Sequence, residues 1–129
     1  MSGYTRVNLE QVKDSAPEFG LGEVHEARFA TRPLDASQLG LAFYRMRPGA
    51  SQPFAHRHGA QEEIYVVLSG TAVADLDGER VELRSLDALR VAPHATRRFE
   101  AGPEGAELIA VGATVASEGR NDAEMVATG

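Results

Sequence analysis

Two histidines and one glutamate within a short stretch have the types and spacing of metal ligands. His56 and His58 stand two positions apart, so both imidazole rings point to the same face of an extended segment. Glu63 opens the run EIYVVL, whose β-branched and aromatic residues favour a strand. Two neutral imidazoles and one carboxylate suit a divalent first-row metal and leave coordination positions open for a ligand. The spacing therefore predicts a metal site made of His56, His58 and Glu63.

This stretch resembles the first motif of the cupin family, G-x5-H-x-H-x3,4-E-x6-G. The matching residues are His56, His58, Glu63 and Gly70. The first glycine departs from the pattern, because six residues rather than five separate Gly49 from His56. The resemblance implies an all-β fold, the cupin-type double-stranded β-helix, which is a jelly-roll-like antiparallel barrel with the ligands pointing into its interior.

The second cupin motif, G-x5-P-x-G-x2-H-x3-N, normally supplies a fourth metal ligand from its histidine. Aligning Pro93 with the proline of the motif places Arg97 where that histidine belongs, and Phe99 where the family often has an aromatic residue. A guanidinium stays protonated and has no lone pair to give, so Arg97 cannot ligate a metal. His94 would be the fourth ligand only in a shortened turn that displaces Phe99, and a solvent-facing loop position is favoured for it.

Two interpretations of Arg97 stay open. In the first, the three ligands hold Fe, Mn, Zn or Ni, and Arg97 anchors the carboxylate of a small ligand. In the second, the site is metal-free, and Arg97 forms a bidentate salt bridge with Glu63 that would also repel a cation. Tyr65 shares the face of Glu63, so its hydroxyl could reach a bound molecule. The predicted ligand-binding residues are therefore Arg97, Tyr65 and Phe99.

These interpretations predict different functions, because cupins include oxygenases, isomerases and non-catalytic binding proteins. The first predicts a metal-dependent oxygenase or isomerase of a small organic acid. The second predicts a non-catalytic module that binds a small molecule in the same cavity. No serine, threonine or cysteine nucleophile has a base at motif spacing, so any catalysis should rest on the His–His–Glu cluster.

Composition narrows the class of protein. The chain has 129 residues, of which 43% are hydrophobic and 25% are charged, as is usual for one globular domain. A net charge of −6 argues against nucleic-acid binding. No apolar run approaches the roughly eighteen residues needed to cross a bilayer, and the N-terminus lacks a hydrophobic signal core. We therefore expect a cytoplasmic protein that binds neither nucleic acid nor membrane.

Short strand-like segments with almost no helical periodicity run through the chain, which is typical of a sandwich or barrel. The predicted strands are 24–30, 41–47, 63–69, 71–76, 80–83, 88–91, 97–100 and 106–114. Asp77-Gly78 predicts a tight hairpin turn. Asn8 and Gln11 have capping-box spacing, which predicts one helical turn over 9–13.

The domain organisation follows from these elements. We expect a single domain over 1–129, with a barrel core of about 23–114, an N-terminal arm over 1–22 and a C-terminal tail over 115–129. The tail is small and polar, which indicates a loose segment or at most a short helix. Cupins commonly pair through edge strands, and burying an edge protects it from aggregation. The resemblance therefore also implies a homodimer.

Overall fold

The computed structural model describes residues 3–113 and 123–127, and within them the chain folds into antiparallel strands and two short 3-10 helices. The helices are Leu9–Gln11 and Ala16–Phe19, and the strands are β1 His25–Phe29, β2 Leu39–Met46, β3 Phe54–His58, β4 Glu63–Leu76, β5 Glu79–Arg84, β6 Ala88–Val91, β7 Arg97–Ala113 and β8 Ala123–Ala127. The prediction of an all-β fold is confirmed. Neither helix in the described ranges has the length or apolar character that crossing a bilayer requires.

Two long strands, β4 and β7, organise the barrel. They pair with each other from Glu63↔Gly112 to Leu76↔Arg97. The first half of β4 also pairs with β6, and the second half of β7 pairs with β2, which in turn pairs with β1. The second half of β4 pairs with β5. The start of β7 pairs with β3, which in turn pairs with β8. All eight strands form one continuous sheet, which the long strands divide into two halves, β1-β2-β7-β4-β6 and β8-β3-β7-β4-β5; these are the two sheets of the barrel.

Glycines allow the long strands to bend between the two sheets. Gly70 has φ 74° and Gly105 has φ 84°, a left-handed conformation that favours glycine. The β4–β7 register shifts beside Gly70, and a Cβ there would lie 2.1 Å from the carbonyl oxygen of Gly105. The sequence pattern placed strand ends at both positions. Instead the strands continue through bulges, because backbone pairing resumes after the bend.

Two further segments differ from the strand predictions. β3 was not among the predicted strands, because its sequence FAHRH has few of the β-branched residues that mark a strand. Residues 123–127 were expected to be loose or helical, but they form β8 and pair with β3 from Phe54↔Ala127 to His58↔Ala123. An exposed strand edge can order a segment of weak β-propensity through backbone hydrogen bonds. The remainder of the predicted tail, 115–122 and 128–129, lies outside the described residues.

The predicted turns form with small changes. Asp77 and Gly78 have φ of 52° and 90° and join β4 to β5 as a tight hairpin. Asn8 caps the first 3-10 helix by accepting the backbone N–H of Glu10, but this helix is shorter than the predicted turn.

The inward faces of the strands form one core. Tyr65 and Val67 are buried, whereas Ile64 and Leu68 on the opposite face of β4 are 44% and 41% exposed. This confirms the predicted alternation along β4. Besides apolar side chains, the barrel interior contains fully buried polar ones, and Arg97 has no exposed surface at all. Buried polar groups of this kind need hydrogen-bond partners, and two of them, His58 and Arg97, lie at or beside the predicted metal site.

The bend at Gly70 predicts that the substitution Gly70→Ala lowers the stability of the fold. The new methyl group meets the Gly105 carbonyl, and the residue keeps an unfavourable φ, so the free energy of unfolding should fall by about 3 kcal/mol or more. Gly20→Ala is the matched control, because Gly20 has φ 73° and no described residue lies within 4 Å of its Cβ position. It should cost only about 1 kcal/mol. Chemical denaturation measures both, and equal costs would contradict the close approach of β4 and β7.

Candidate metal centre

The predicted ligands come from both sheets of the barrel. His56 and His58 lie on β3, two positions apart, and their rings are 5.3 Å apart on the same face. Glu63 is the first residue of β4, where β4 pairs with β6 and with the end of β7. The site therefore lies between the sheets. The His58 side chain is 1% exposed, the Glu63 side chain 12% and the His56 side chain 20%, so the cluster opens towards solvent beside His56.

The distances within the cluster fit a single metal ion. Glu63 Oε1 lies 3.1 Å from His58 Nε2 and 3.6 Å from His56 Nε2. The three residues can each offer one ligand atom such that all lie within 4.8 Å of one another. Bonds of about 2.1 Å at tetrahedral or octahedral angles would separate neighbouring ligand atoms by about 3.0–3.4 Å. The His58–Glu63 distance falls in this range and the His56–Glu63 distance lies slightly above it, so the donor set could hold a divalent first-row cation after a small movement of His56.

Hydrogen bonds keep Glu63 ionised. Burial alone raises the pKa of a carboxyl group, but the close imidazole of His56 and the hydrogen bonds from His58 and Tyr65 outweigh burial and hold the pKa of Glu63 well below its usual range. The hydroxyl of Tyr65 donates to Glu63 Oε1 at 2.5 Å. Burial, followed by the nearby Glu63 charge, raises the pKa of Tyr65, so this hydroxyl keeps its proton. Glu63 is thus an anion at neutral pH, as the predicted metal site requires.

Aromatic residues and one amide surround the space beside the cluster. The rings of Tyr65 and Phe99 are 4.6 Å apart and tilted by 45°. With Tyr44, Gln52 and His56 they line a cavity of about 20 Å³, enough for little more than one water. A second cavity of about 50 Å³ lies on the outer side of Gln52 and His56, between Leu21, Phe54 and Met125. The two cavities share Gln52 and His56 as a common wall.

Arg97 is buried next to this cluster but does not pair with Glu63. It lies opposite His56 in the pairing of β7 with β3. Its Nη2 donates to the carbonyl oxygen of Ala92 at 2.9 Å and its Nη1 to that of Pro93 at 3.4 Å, while its buried Nε has no partner among the described residues. Among the described residues no ion pair joins Arg97 to Glu63. The metal-free interpretation predicted a salt bridge between Arg97 and Glu63, and this prediction is wrong. The guanidinium instead donates to backbone carbonyls of the loop that precedes β7.

The remaining histidines lie outside the cluster. His94 is exposed, which agrees with the loop position favoured for it. His25 on β1 is 2% exposed, and burial lowers its pKa, so it is neutral at pH 7. Its Nε2 lies 3.3 Å from Nε2 of Gln52.

Sequence reasoning missed Gln52 and Tyr44 as residues of the cavity. Gln52 precedes β3 and belongs to no chemical motif. Its contacts are with residues 27 and 47 positions away, His25 and Phe99. No local spacing could have indicated these contacts, because they arise only when three strands come together.

The fold agrees with what comparison with known proteins finds. A family model described as Cupin domain matches residues 42–112, more than half of the chain. A cupin protein from Bacteroides fragilis superposes with a TM-score of 0.73 and 25% sequence identity, covering 91% of this chain and 89% of that one. The polyketide cyclase RemF from Streptomyces resistomycificus has the same fold, with a TM-score of 0.73, 20% identity and coverage of 97% and 85%.

A shorter similarity exists at the level of sequence. An uncharacterised protein of Methanocaldococcus jannaschii, MJ1618, is 32% identical over 53 residues, which are 41% of this chain. The match spans 42% of that relative. The family match covers both predicted motifs, and the strands that carry them form the expected barrel. The chain therefore belongs to the cupin family.

Proposed function

We propose that this cupin binds one divalent transition metal, Fe, Mn, Zn or Ni, through His56, His58 and Glu63, and holds a small anionic organic ligand beside it. The observation that carries this proposal is the convergence of three ligand atoms within 4.8 Å, on two facing sheets. Three protein ligands leave coordination positions open for a further ligand. We further propose that the reaction is of the oxygenase or isomerase class, with a small organic acid as substrate. A cation bound there would supply Lewis acidity to a ligand oxygen.

The charge of the site supports an anionic ligand. Glu63 contributes one negative charge and Arg97 one positive charge, while the two histidines ligate in their neutral form. A divalent cation would therefore leave two uncompensated positive charges in a poorly screened interior. An anionic ligand would offset them. Within the described part of the chain, the buried Nε of Arg97 has no partner, so the guanidinium retains capacity for a carboxylate.

Tyr65 has a distinct role in this proposal. Its hydroxyl donates to Glu63 Oε1 and lies 3.4 Å from His56 Nε2, so it contacts two of the three proposed ligands. A hydrogen bond to a ligating carboxylate fixes its orientation and tunes its basicity. Phe99 packs on the Tyr65 ring and limits the rotation of that ring. Together they keep Glu63 oriented towards the histidines.

The alternative proposal is a non-catalytic, metal-free binding module. It relied on an Arg97–Glu63 pair in place of the ion, and the described residues form no such pair. The donors that surround Glu63 are instead two imidazoles and a phenol. This set favours the metal-binding proposal.

Removing the two histidines should abolish metal binding. The variant His56→Ala/His58→Ala keeps only one of three ligands, so zinc or manganese affinity should fall by at least about 100-fold. His94→Ala is the matched control, because His94 is exposed on a loop. Elemental analysis of untagged protein and calorimetric titration measure the effect. Equal metal binding by both variants would place the metal elsewhere and refute the proposed site.

Replacing Arg97 by histidine should strengthen metal binding. Arg97→His supplies a neutral imidazole and removes a positive charge beside the ion, so affinity for Mn, Zn or Ni should rise by about tenfold or more. Arg90→His is the control, since Arg90 lies on the surface and pairs with Glu62. Calorimetry of both variants tests the alignment of the second motif. Unchanged or weaker binding in Arg97→His would mean that Arg97 lies outside the ligand cluster.

We also propose that the protein is a homodimer. The outer face of β4 exposes Ile64 and Leu68, and a two-fold related copy could bury this same face. Light scattering at tens of micromolar should give twice the 13.8 kDa of one chain. Ile64→Glu should shift the protein towards the monomer, whereas Leu86→Glu should not, because Leu86 is 78% exposed in the turn before β6. A wild-type mass of one chain would refute the dimer.

A further inference from the structure

Gln52 lies outside the regular strands, but several hydrogen bonds fix its position. Its backbone N–H donates to the carbonyl oxygen of Phe99 at 3.0 Å. Its own carbonyl oxygen accepts Nη1 of Arg98 at 3.1 Å. Its side-chain Oε1 accepts the backbone N–H of Phe99 at 3.1 Å. Three of its polar groups are thus fixed by the start of β7.

These contacts determine which way the amide faces. A backbone N–H can only donate, so the atom facing Phe99 must be the oxygen Oε1. The nitrogen Nε2 therefore points the other way, where it lies 3.3 Å from His25 Nε2. His25 is neutral, so its Nε2 can accept the amide hydrogen while its Nδ1 carries the ring proton. The amide orientation follows from hydrogen bonding on both sides.

A primary amide nitrogen carries two hydrogens, and His25 accepts one of them. The second has no hydrogen-bond partner within residues 3–113 and 123–127. Gln52 lines both the inner cavity, with Tyr65 and Phe99, and the outer cavity, with Phe54. His56, a proposed metal ligand, is the other residue that lines both. A donor held in a fixed orientation therefore stands at the boundary of the two cavities, beside His56.

We propose that Gln52 is a positioning residue whose amide N–H donates to an acceptor oxygen of the ligand held beside His56. This inference rests on the proposed function and refines its ligand class. The ligand must present an oxygen that accepts a hydrogen bond, as a carboxylate or a carbonyl does, rather than only donor groups. The aromatic rings of Tyr44, Tyr65 and Phe99 leave little room in the inner cavity, so only the small polar end of the ligand enters it.

Formate is a suitable probe, because it is the smallest carboxylate with two acceptor oxygens. The side-chain amide resonances of Gln52 are followed by ¹H–¹⁵N NMR while formate is added to metal-free and to zinc-loaded protein. We expect the Gln52 amide signals to move and saturate with the same dissociation constant as formate binding. Saturation should come at a lower concentration in the zinc-loaded form. A purely structural Gln52 would show no such ligand-dependent shift.

Substitution gives the matching affinity measurement. Gln52→Glu keeps an acceptor for the Phe99 N–H but replaces the donor with a negative charge, so formate binding should weaken by about tenfold or more. Zinc affinity should hold or rise, since no proposed ligand is lost and the new negative charge favours a cation. Gln61→Glu is the control, because Gln61 is also a buried amide but lines neither cavity.

The outcomes separate this inference from the proposed function. Failure to take up zinc would refute the proposed metal site, and the metal-free titration would still decide the role of Gln52. Formate binding that leaves the Gln52 signals unmoved would overturn the inference, as would equal weakening by Gln52→Glu and Gln61→Glu. Absence of formate binding in both forms would overturn it as well.

Discussion

A carboxylate that is ionised inside a protein must be surrounded by donors, and the site is built around this requirement at Glu63. Burial alone would make the carboxyl group neutral. Two imidazoles and the Tyr65 hydroxyl reverse that effect, and they hold the pKa of Glu63 well below its usual range. The same three donors fix the position of Glu63 Oε1 between His56 and His58. The arrangement that stabilises the buried charge is thus also the arrangement that would receive a cation.

The barrel places these groups together because β4 and β7 run through both sheets. The histidines lie on β3 in one sheet, and Glu63 with Tyr65 lies on the half of β4 that belongs to the other sheet. Gly70 and Gly105 allow the close approach at the bend. Arg97 begins β7 opposite His56 and brings a buried positive charge to the same place. A site between two sheets can be rigid, because its side chains stand on strands rather than loops.

The sequence predicted the parts of this site that local spacing determines. Side chains alternate along a strand, so the H-x-H spacing predicts that His56 and His58 point to one face. The same alternation along β4 predicts that Glu63 and Tyr65 share a face. The sequence could not predict which groups accept hydrogen bonds from Arg97. Whether Arg97 pairs with Glu63 or with the carbonyls of Ala92 and Pro93 depends on the conformation of the loop before β7. Nor could the sequence find Gln52 or β8, whose positions depend on contacts with distant strands. The bends at Gly70 and Gly105 were interpreted as strand ends, because glycine interrupts β-propensity in either case.

X-ray absorption spectroscopy of the zinc-loaded protein tests the central claim most directly, namely that the Glu63 cluster is a three-ligand metal centre. The account predicts two imidazole nitrogens at about 2.0–2.1 Å and carboxylate or exchangeable oxygens at about 2.0–2.2 Å from the metal. The imidazole scattering should disappear in the His56→Ala/His58→Ala variant. A metal environment made only of oxygen atoms, or one that keeps two imidazoles in that variant, would contradict the account.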